Sequence, residues 1–320
     1  MNPLVSIVIP VYNTGKFIER CLRSVCEQTL ADFEIVIVDD CSPDNAMEIA
    51  DKVLQGYPNR LACTQIIRLE KNVGSASARK AAFSKTNGKF ITCLDSDDYL
   101  ELNALYEMLE KAQKTGADLV ICDFFSEYLK KNILLSQKVN NDVISDLFLN
   151  KLHGSYCNKL YKKEILNEID ILDSVNMCED FLAMTQIMFY AKKIVYLNKA
   201  FTHYVQYNSN SYTKNISQKS IEDILTVVEF LEEFLHKKNI YEKYEQEWLY
   251  RKKFFKFMIL NSASKSDRQK YFKLYENDKI DIGKMPFYQR GILWAAKMKI
   301  NFIIDMIISL KNIIKKMRGI

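Results

Sequence analysis

The chain has 320 residues, 48% of them hydrophobic and 27% charged, the composition of a folded globular protein with room for one large core and a smaller second unit. Its formal charge is +5, and residues 291–320 carry all of that excess: Lys297, Lys299, Lys311, Lys315, Lys316 and Arg318 stand against Asp305 alone. The remaining body is neutral, which excludes a broad nucleic-acid-binding face, and eight scattered cysteines without paired spacing exclude a disulfide framework and fit the reduced thiols of a cytosolic protein.

Residues 4–11 (Leu-Val-Ser-Ile-Val-Ile-Pro-Val) form an apolar run expected to be a buried strand, and no basic region or cleavage site precedes it, so no secretory leader is expected in these residues. The polar turn Tyr12-Asn13-Thr14-Gly15 follows, then a helix with Phe17, Cys21, Leu22 and Val25 on its apolar face. Residues 33–38 predict a second strand ending in Asp39-Asp40-Cys41-Ser42-Pro43, with a helix from about residue 44. The alternation continues with a weaker strand at 61–69, a helix at 74–85, a strand at 90–94, a helix at 101–114 and a strand at 118–123. Strands alternating with helices of this length predict a mostly parallel sheet covered by helices on both faces, with ligands bound beyond the carboxyl ends of the strands.

Three of those strand ends carry the unusual polar residues: Tyr12-Asn13, Asp39-Asp40 and Asp95-Ser96-Asp97-Asp98. The last is the sharpest. Three carboxylates within four residues raise one another's pKa unless positive charge sits among them, so a divalent cation or a basic cluster is implied. Hard oxygen ligands point to magnesium or manganese rather than zinc. A structural reading, with Asp98 capping the next helix, stands equally open on these residues alone. The first turn lacks the glycines of a dinucleotide-binding loop, and no phosphate-binding Gly-x-x-x-x-Gly-Lys-[Ser/Thr] occurs. Phosphates would therefore be held by a metal on Asp95 and Asp97, helped by Arg79 or Lys80 beyond Asn72-Val73-Gly74.

Val5 to Asn13, Val38-Asp39-Asp40-Cys41-Ser42, Asn72-Val73-Gly74 with Ala78-Arg79-Lys80, and Leu94-Asp95-Ser96-Asp97-Asp98 resemble the successive motifs of family 2 glycosyltransferases with the GT-A fold. Asn158-Lys159-Leu160-Tyr161 is similar to a motif of the bacterial surface-polysaccharide branch, and Cys178-Glu179-Asp180-Phe181-Leu182 to the family's Glu-Asp element, so the likeness runs to about residue 213. Cys41 and Cys178 stand where glycine or a small residue is usual, and Gln206 where arginine is common. The resemblance implies a GT-A type, Rossmann-like α/β domain over residues 1–213 and a helical carboxyl-terminal region over 214–320.

It also implies a site. Pro10, Tyr12, Asn13, Asp39, Asp40, Asn72, Arg79, Asp95 and Ser96 would form the nucleotide-sugar pocket, with Asp40 accepting the imide proton of uracil and Asp39 beside it. Tyr12 either packs on the base or caps the sheet edge. Asp97 would be the first metal ligand, with Asp95 on the ribose and metal and Asp98 as a substitute, and the ion, Mn2+ or Mg2+, would neutralise the diphosphate leaving group. Asp180 would be the general base for the acceptor hydroxyl in one inverting displacement. Without the upstream motifs, Glu179-Asp180 is no more than two acids opening an apolar helix. His203 either adds a metal or phosphate contact or is structural, and Lys159 either meets donor or acceptor or is solvated. The three histidines are too few and too far apart for a zinc site.

Strand signals vanish after about residue 215, and 221–238 and 241–261 predict helices whose aromatic residues pack between them. In the final stretch Ala296, Ile300, Ile303, Ile307, Leu310, Ile314 and Met317 predict one amphipathic basic helix, too interrupted by charge to span a bilayer. It suits peripheral contact with an anionic membrane, against the alternative of packing or a coiled coil. The expected protein is thus an inverting, metal-dependent transferase moving sugar from a UDP-linked donor to a bacterial surface glycan or lipid-linked acceptor on the inner face of the cell membrane. The alternative is a non-catalytic nucleotide-sugar or glycan-binding subunit of the same fold.

Overall fold

The computed structural model describes residues 2–137, 139–140, 142–173, 175–209, 211, 216–275, 283 and 285–317, with side chains as far as residue 314. The chain divides into two compact units: Met1–Val139 with His153–Asn210, and Asn140–Leu152 with Ser211–Ile320. The expected boundary at 213/214 lies outside the described residues. Residues 140–152, placed by sequence in the first domain, group instead with the helical unit. The reason is local: Arg251 Nε donates to the Phe148 carbonyl at 3.1 Å, and Phe148 packs on Trp248 with ring centroids 5.2 Å apart.

The first unit is the expected α/β sandwich. Strands β1 (Val5–Val11), β2 (Phe33–Asp39), β3 (Thr64–Arg68) and β4 (Phe90–Cys93) run parallel in the order β3-β2-β1-β4. The valines and isoleucines of β1, β2 and β4 are buried on both faces, as the near-continuous apolar runs require, while those of the edge strand β3 are half-buried; helices α1 (Ile18–Cys26), α2 (Ala46–Gln55) and α4 (Ser75–Phe83) each bury an apolar face, and a single turn α3 (Pro58–Leu61) buries none. The weak third strand starts three residues later than expected because Pro58 opens a helical turn that takes up Leu61.

Beyond β4 the pattern departs from simple alternation. Asp98 is followed by a two-residue strand β5 (Tyr99–Leu100) before α5 (Ala104–Thr115), and the next strand β6 (Leu119–Tyr128) is ten residues long and turns into the hairpin strand β7 (Lys131–Leu135). After α6 (Val143–Phe148), the Asn-Lys-Leu-Tyr motif forms β8 (Lys159–Lys162), wedged antiparallel between β4 and β6. Helix α7 (Glu179–Tyr190) leads into β9 (Ile194–Val205), parallel to β6 and antiparallel to β5. Among the described residues this makes one nine-stranded, mostly parallel sheet.

The second unit is helical. Helices α8 (Gln218–Lys237) and α9 (Tyr241–Ser262) bury Phe234, Trp248 and Phe255, so these aromatics are packing residues as expected. The final stretch is not one helix. It breaks at residues 298–300, where Lys299 takes φ +59°, into α10 (Phe287–Lys297) and α11 (Asn301–Met317). No helix among the described residues is long and apolar enough to cross a membrane.

Candidate active site

The carboxyl ends of β1, β2 and β4 lie side by side in the sheet, and short hydrogen bonds tie their loops together. Asn13 and Cys41 each adopt a left-handed conformation, with φ of +55° and +56°. This turns the Asn13 N–H onto Ser42 Oγ (2.9 Å) and the Gly15 N–H onto Asp44 Oδ2 (2.7 Å), while the Ser42 hydroxyl donates to Asp44 Oδ1 at 2.7 Å. The Thr14 hydroxyl donates to Ser96 Oγ at 2.9 Å, which joins the first loop to the Asp95–Asp98 segment. The three polar strand ends singled out by sequence thus form one connected rim. Cys41, which departs from the usual glycine, still adopts the glycine-like φ.

Within this rim the acids divide by burial. Asp39 is half-buried and accepts the Ser42 N–H on Oδ1 at 2.8 Å. Asp40, expected to read the nucleobase, is buried and accepts two backbone donors: Oδ1 takes the Val73 N–H at 2.7 Å and Oδ2 the Gly74 N–H at 2.8 Å. Burial, together with the neighbouring Asp39 charge, lifts its carboxyl above the ordinary range despite those donors. Asp40 therefore clamps the turn before α4. Gly74 makes this possible with φ +87°, a backbone that also leaves no room for a side chain: an added Cβ would fall 2.1 Å from Asn176 Oδ1. Gly74→Ala is expected to lower stability by about 1–3 kcal/mol. Urea unfolding of the variant measures this, and an unchanged midpoint would refute the clamp.

The Asp95–Asp98 segment divides in the same way. Asp95 and Asp97 are half-buried, and Asp97 Oδ2 accepts from the Asn208 amide at 2.7 Å. Ser96 and Asp98 turn inward, both buried. Asp98 Oδ1 accepts the Val205 N–H at 2.8 Å, and its Oδ2 is a buried oxygen without a hydrogen-bond partner. Desolvation, then the charges of Asp97 and Asp95, push the Asp98 carboxyl well up. A buried acid fastened to β9 is not placed to substitute as a metal ligand, which corrects that expectation. Among the described residues no three His, Cys, Asp or Glu side chains gather into a ready-made metal cage.

Arg79 was expected at the donor phosphates. It is instead buried and bidentate, with Nη2 on Asp95 and Nη1 on Glu179 Oε1 at 2.7 Å, and the Ser75 hydroxyl donates to the same Glu179 oxygen at 2.7 Å. One guanidinium thereby couples α4, the end of β4 and the first turn of α7. Glu179 was read only as the companion of Asp180; the basic residue one turn into α4 and an acid at a helix start give no sequence signal that they pair. Asp180, half-buried as the second residue of α7, has its carboxyl raised to about 7 by desolvation and then by the Glu179 charge.

The other expected residues fall around this core. Tyr12 is 46% exposed at the end of β1, Pro10 lies in β1 opposite Val38, and Asn72 is exposed in the turn before Gly74. Lys159 is fully buried, its ammonium donating to the carbonyls of His153 (2.8 Å) and Ser155 (2.7 Å) and to Asn158 Oδ1 (2.6 Å), so it is not a solvated lysine. Desolvation lowers its pKa to about 8. His203 is buried, stacked on Tyr99 at 4.2 Å between centroids and bonded through Nε2 to Glu101 at 2.7 Å, the structural alternative of its two readings.

Residues 6–170, which hold all of the rim up to the Asn-Lys-Leu-Tyr strand, match the family model described as glycosyl transferase family 2. The chain belongs to glycosyl transferase family 2. Among curated family members, a putative glycosyltransferase of Bacillus subtilis, EpsH, is 28% identical over 274 residues, covering 82% of this chain and 76% of its own. A putative teichuronic acid biosynthesis glycosyltransferase of the same organism, TuaG, is 38% identical over 109 residues, 34% of this chain and 42% of its own. Of solved structures, S. aureus TarS residues 1–349 in complex with UDP-GlcNAc superpose with TM-score 0.58 at 20% identity, covering 98% of this chain and 92% of that one. A mannosyltransferase of Pyrobaculum calidifontis in complex with GDP-Man and Mn2+ gives TM-score 0.56 at 14% identity, over 98% of this chain and 88% of that one. These likenesses establish the same GT-A type fold, and the family match makes this chain a glycosyltransferase.

Proposed function

We propose that the chain moves a sugar from a UDP-linked donor to a hydroxyl of a bacterial surface glycan or lipid-linked acceptor, in one displacement that inverts the anomeric centre. The observation that carries this reading is the Arg79 bridge, which fixes the donor-side Asp95 and the Glu179-Asp180 turn to one guanidinium. Asp39 is the acid assigned to the base: half-buried at the end of β2, it can accept the uracil imide N–H, while Asp40 beside it holds the Val73 and Gly74 N–H groups. Tyr12 and Asn13, at the end of the neighbouring β1, are assigned to the same nucleotide site, and Asp95 to the ribose.

The donor set of the rim fits a divalent cation of the magnesium or manganese kind: it is all carboxylate oxygen, with Asp97 oriented by Asn208, and such ions commonly use one or two carboxylates plus substrate phosphates. Asp97, with Asp95, would hold the ion, which when bound supplies positive charge to the departing diphosphate. The chain's own residues do the rest. Asp180 takes the proton of the acceptor hydroxyl as its oxygen bonds to the anomeric carbon, and the bond from that carbon to the diphosphate oxygen breaks. Asn208 and the Arg79 bridge hold Asp97, Asp95 and Glu179 in place throughout. A lipid-linked acceptor places the enzyme peripherally on the inner face of the membrane.

A base with pKa about 7 sets the sign of the pH dependence. Asp180 works deprotonated, so the rate falls as pH drops through 7, to about a tenth of its plateau one unit below. Initial rates from pH 5.5 to 8.5, about the span around that pKa, test this; a flat profile would remove Asp180 from the role. The donor reading is tested by incubating the enzyme and Mn2+ with a panel of UDP- and GDP-sugars and following release of the nucleoside diphosphate. Release from a UDP-sugar is expected, and release from GDP-sugars alone would overturn the assignment of uracil.

A further inference from the structure

The helical unit ends in a helix pair whose apolar residues point two ways. Helices α10 and α11 close on each other at Gly291, where an added Cβ would lie 3.0 Å from Ile307 Cδ1, and they bury Ile292, Ala295, Ala296 and Ile304. That inward half is ordinary packing and absorbs much of the stripe expected from the sequence. The outward half has no such explanation. Trp294 and Met298, four residues apart, and Phe302, Met306, Leu310 and Ile313, at steps of four, four and three, are each 53–67% exposed. They flank the break at 298–300, where Lys297 and Lys299 are exposed.

Charge decides what such a face takes. The one acid of residues 287–317 is Asp305, and Arg268 already holds it at 2.7 Å. A second copy of this face would bring lysine against lysine, with Asp305, the one acid on these helices, already paired to Arg268, which opposes self-association. A layer of anionic headgroups answers the lysines, while the aromatic and aliphatic side chains between them suit the boundary of headgroup and acyl chain. We propose that the α10–α11 face docks on a membrane surface rich in anionic phospholipid, with both helices lying in the headgroup plane. This two-helix face shares only Leu310 with the single-helix stripe read in the sequence, and it does not rest on the catalytic assignment.

The chain has two tryptophans, Trp248 wholly buried and Trp294 half-exposed on this face, so intrinsic fluorescence reports the docking directly. The full chain is titrated with vesicles of phosphatidylglycerol and, separately, of phosphatidylcholine, with sedimentation measured in parallel. Phosphatidylglycerol is expected to shift the emission to the blue and to pellet the protein, and Trp294→Phe to abolish the shift while leaving sedimentation. Lys297→Gln with Lys299→Gln is expected to weaken binding about 30-fold, at about 1 kcal/mol for each lysine at the surface. Phe302→Ser with Met306→Ser should prevent sedimentation while circular dichroism remains that of the wild type. Equal binding to both lipids, or no blue shift with phosphatidylglycerol, would overturn the proposal. So would a blue shift that appears on raising the protein concentration without lipid, which would assign the face to a second copy.

Discussion

Asp180→Asn is expected to lower the rate of sugar transfer by about 10²–10⁴-fold, the range that positioned proton transfer supplies, with nucleotide affinity unchanged. Asparagine keeps the shape of the side chain, so the loss isolates the proton. The choice of Asp180 over its neighbour follows from partners. Glu179 is committed to Arg79 and the Ser75 hydroxyl, whereas the Asp180 carboxylate accepts the local Phe181 N–H at 2.7 Å and forms no ion pair among the described residues. Burial and the adjacent Glu179 charge raise its pKa to about 7, where a base both exists deprotonated and binds a proton well. If Asp180 served only to complement the dipole of α7, its replacement would cost about 0.3–1 kcal/mol of stability and little activity. Steady-state rates of the variant at saturating donor, beside calorimetric nucleotide binding, distinguish the two.

The largest stability effect is expected at Arg79. Its pair with Glu179 is buried at both ends, and Arg79→Met leaves the Glu179 carboxylate without its cation, at a cost of about 3–5 kcal/mol. The Asp95 end is more open to solvent and adds less. Arg79→Lys is not expected to restore the loss, because an ammonium cannot bridge two carboxylates as a planar fork does. Urea unfolding followed by circular dichroism gives the figure; a change under 1 kcal/mol, about the worth of an exposed pair, would contradict the bridge. Had Arg79 met donor phosphates instead, its loss would weaken nucleotide binding and spare the fold.

The alternating strands and helices of the first hundred residues were legible because β1, β2 and β4 are mostly apolar runs bounded by turn signals, whereas β3, Thr-Gln-Ile-Ile-Arg, gave the weakest signal and the least accurate start. The rim was legible for the same reason: its acids sit at strand ends that a parallel sheet must align. What the sequence could not show is which of two adjacent acids turns inward. Asp39 and Asp40, or Asp97 and Asp98, are chemically alike, and only the partners decide: Val73 and Gly74 N–H groups for Asp40, and the Val205 N–H for Asp98. Those partners lie 33 to 107 residues away, beyond any periodicity. The two carboxylates that hold Arg79 are hidden likewise, since Asp95 and Glu179 lie 16 and 100 residues away with no spacing that signals the pairing. The break at Lys299 was hidden because steps of three and four continue across it, although a left-handed residue there ends one helix and starts another.

The measurement that bears most directly on the central claim is calorimetric titration of UDP, with and without Mn2+, into the wild type and Asp97→Ala. Binding that requires Mn2+ and is lost in Asp97→Ala is the predicted result, since Asp97 is the rim acid assigned to the ion that meets the diphosphate. Absence of binding to UDP under both conditions, with the protein folded, would contradict a UDP-sugar transferase.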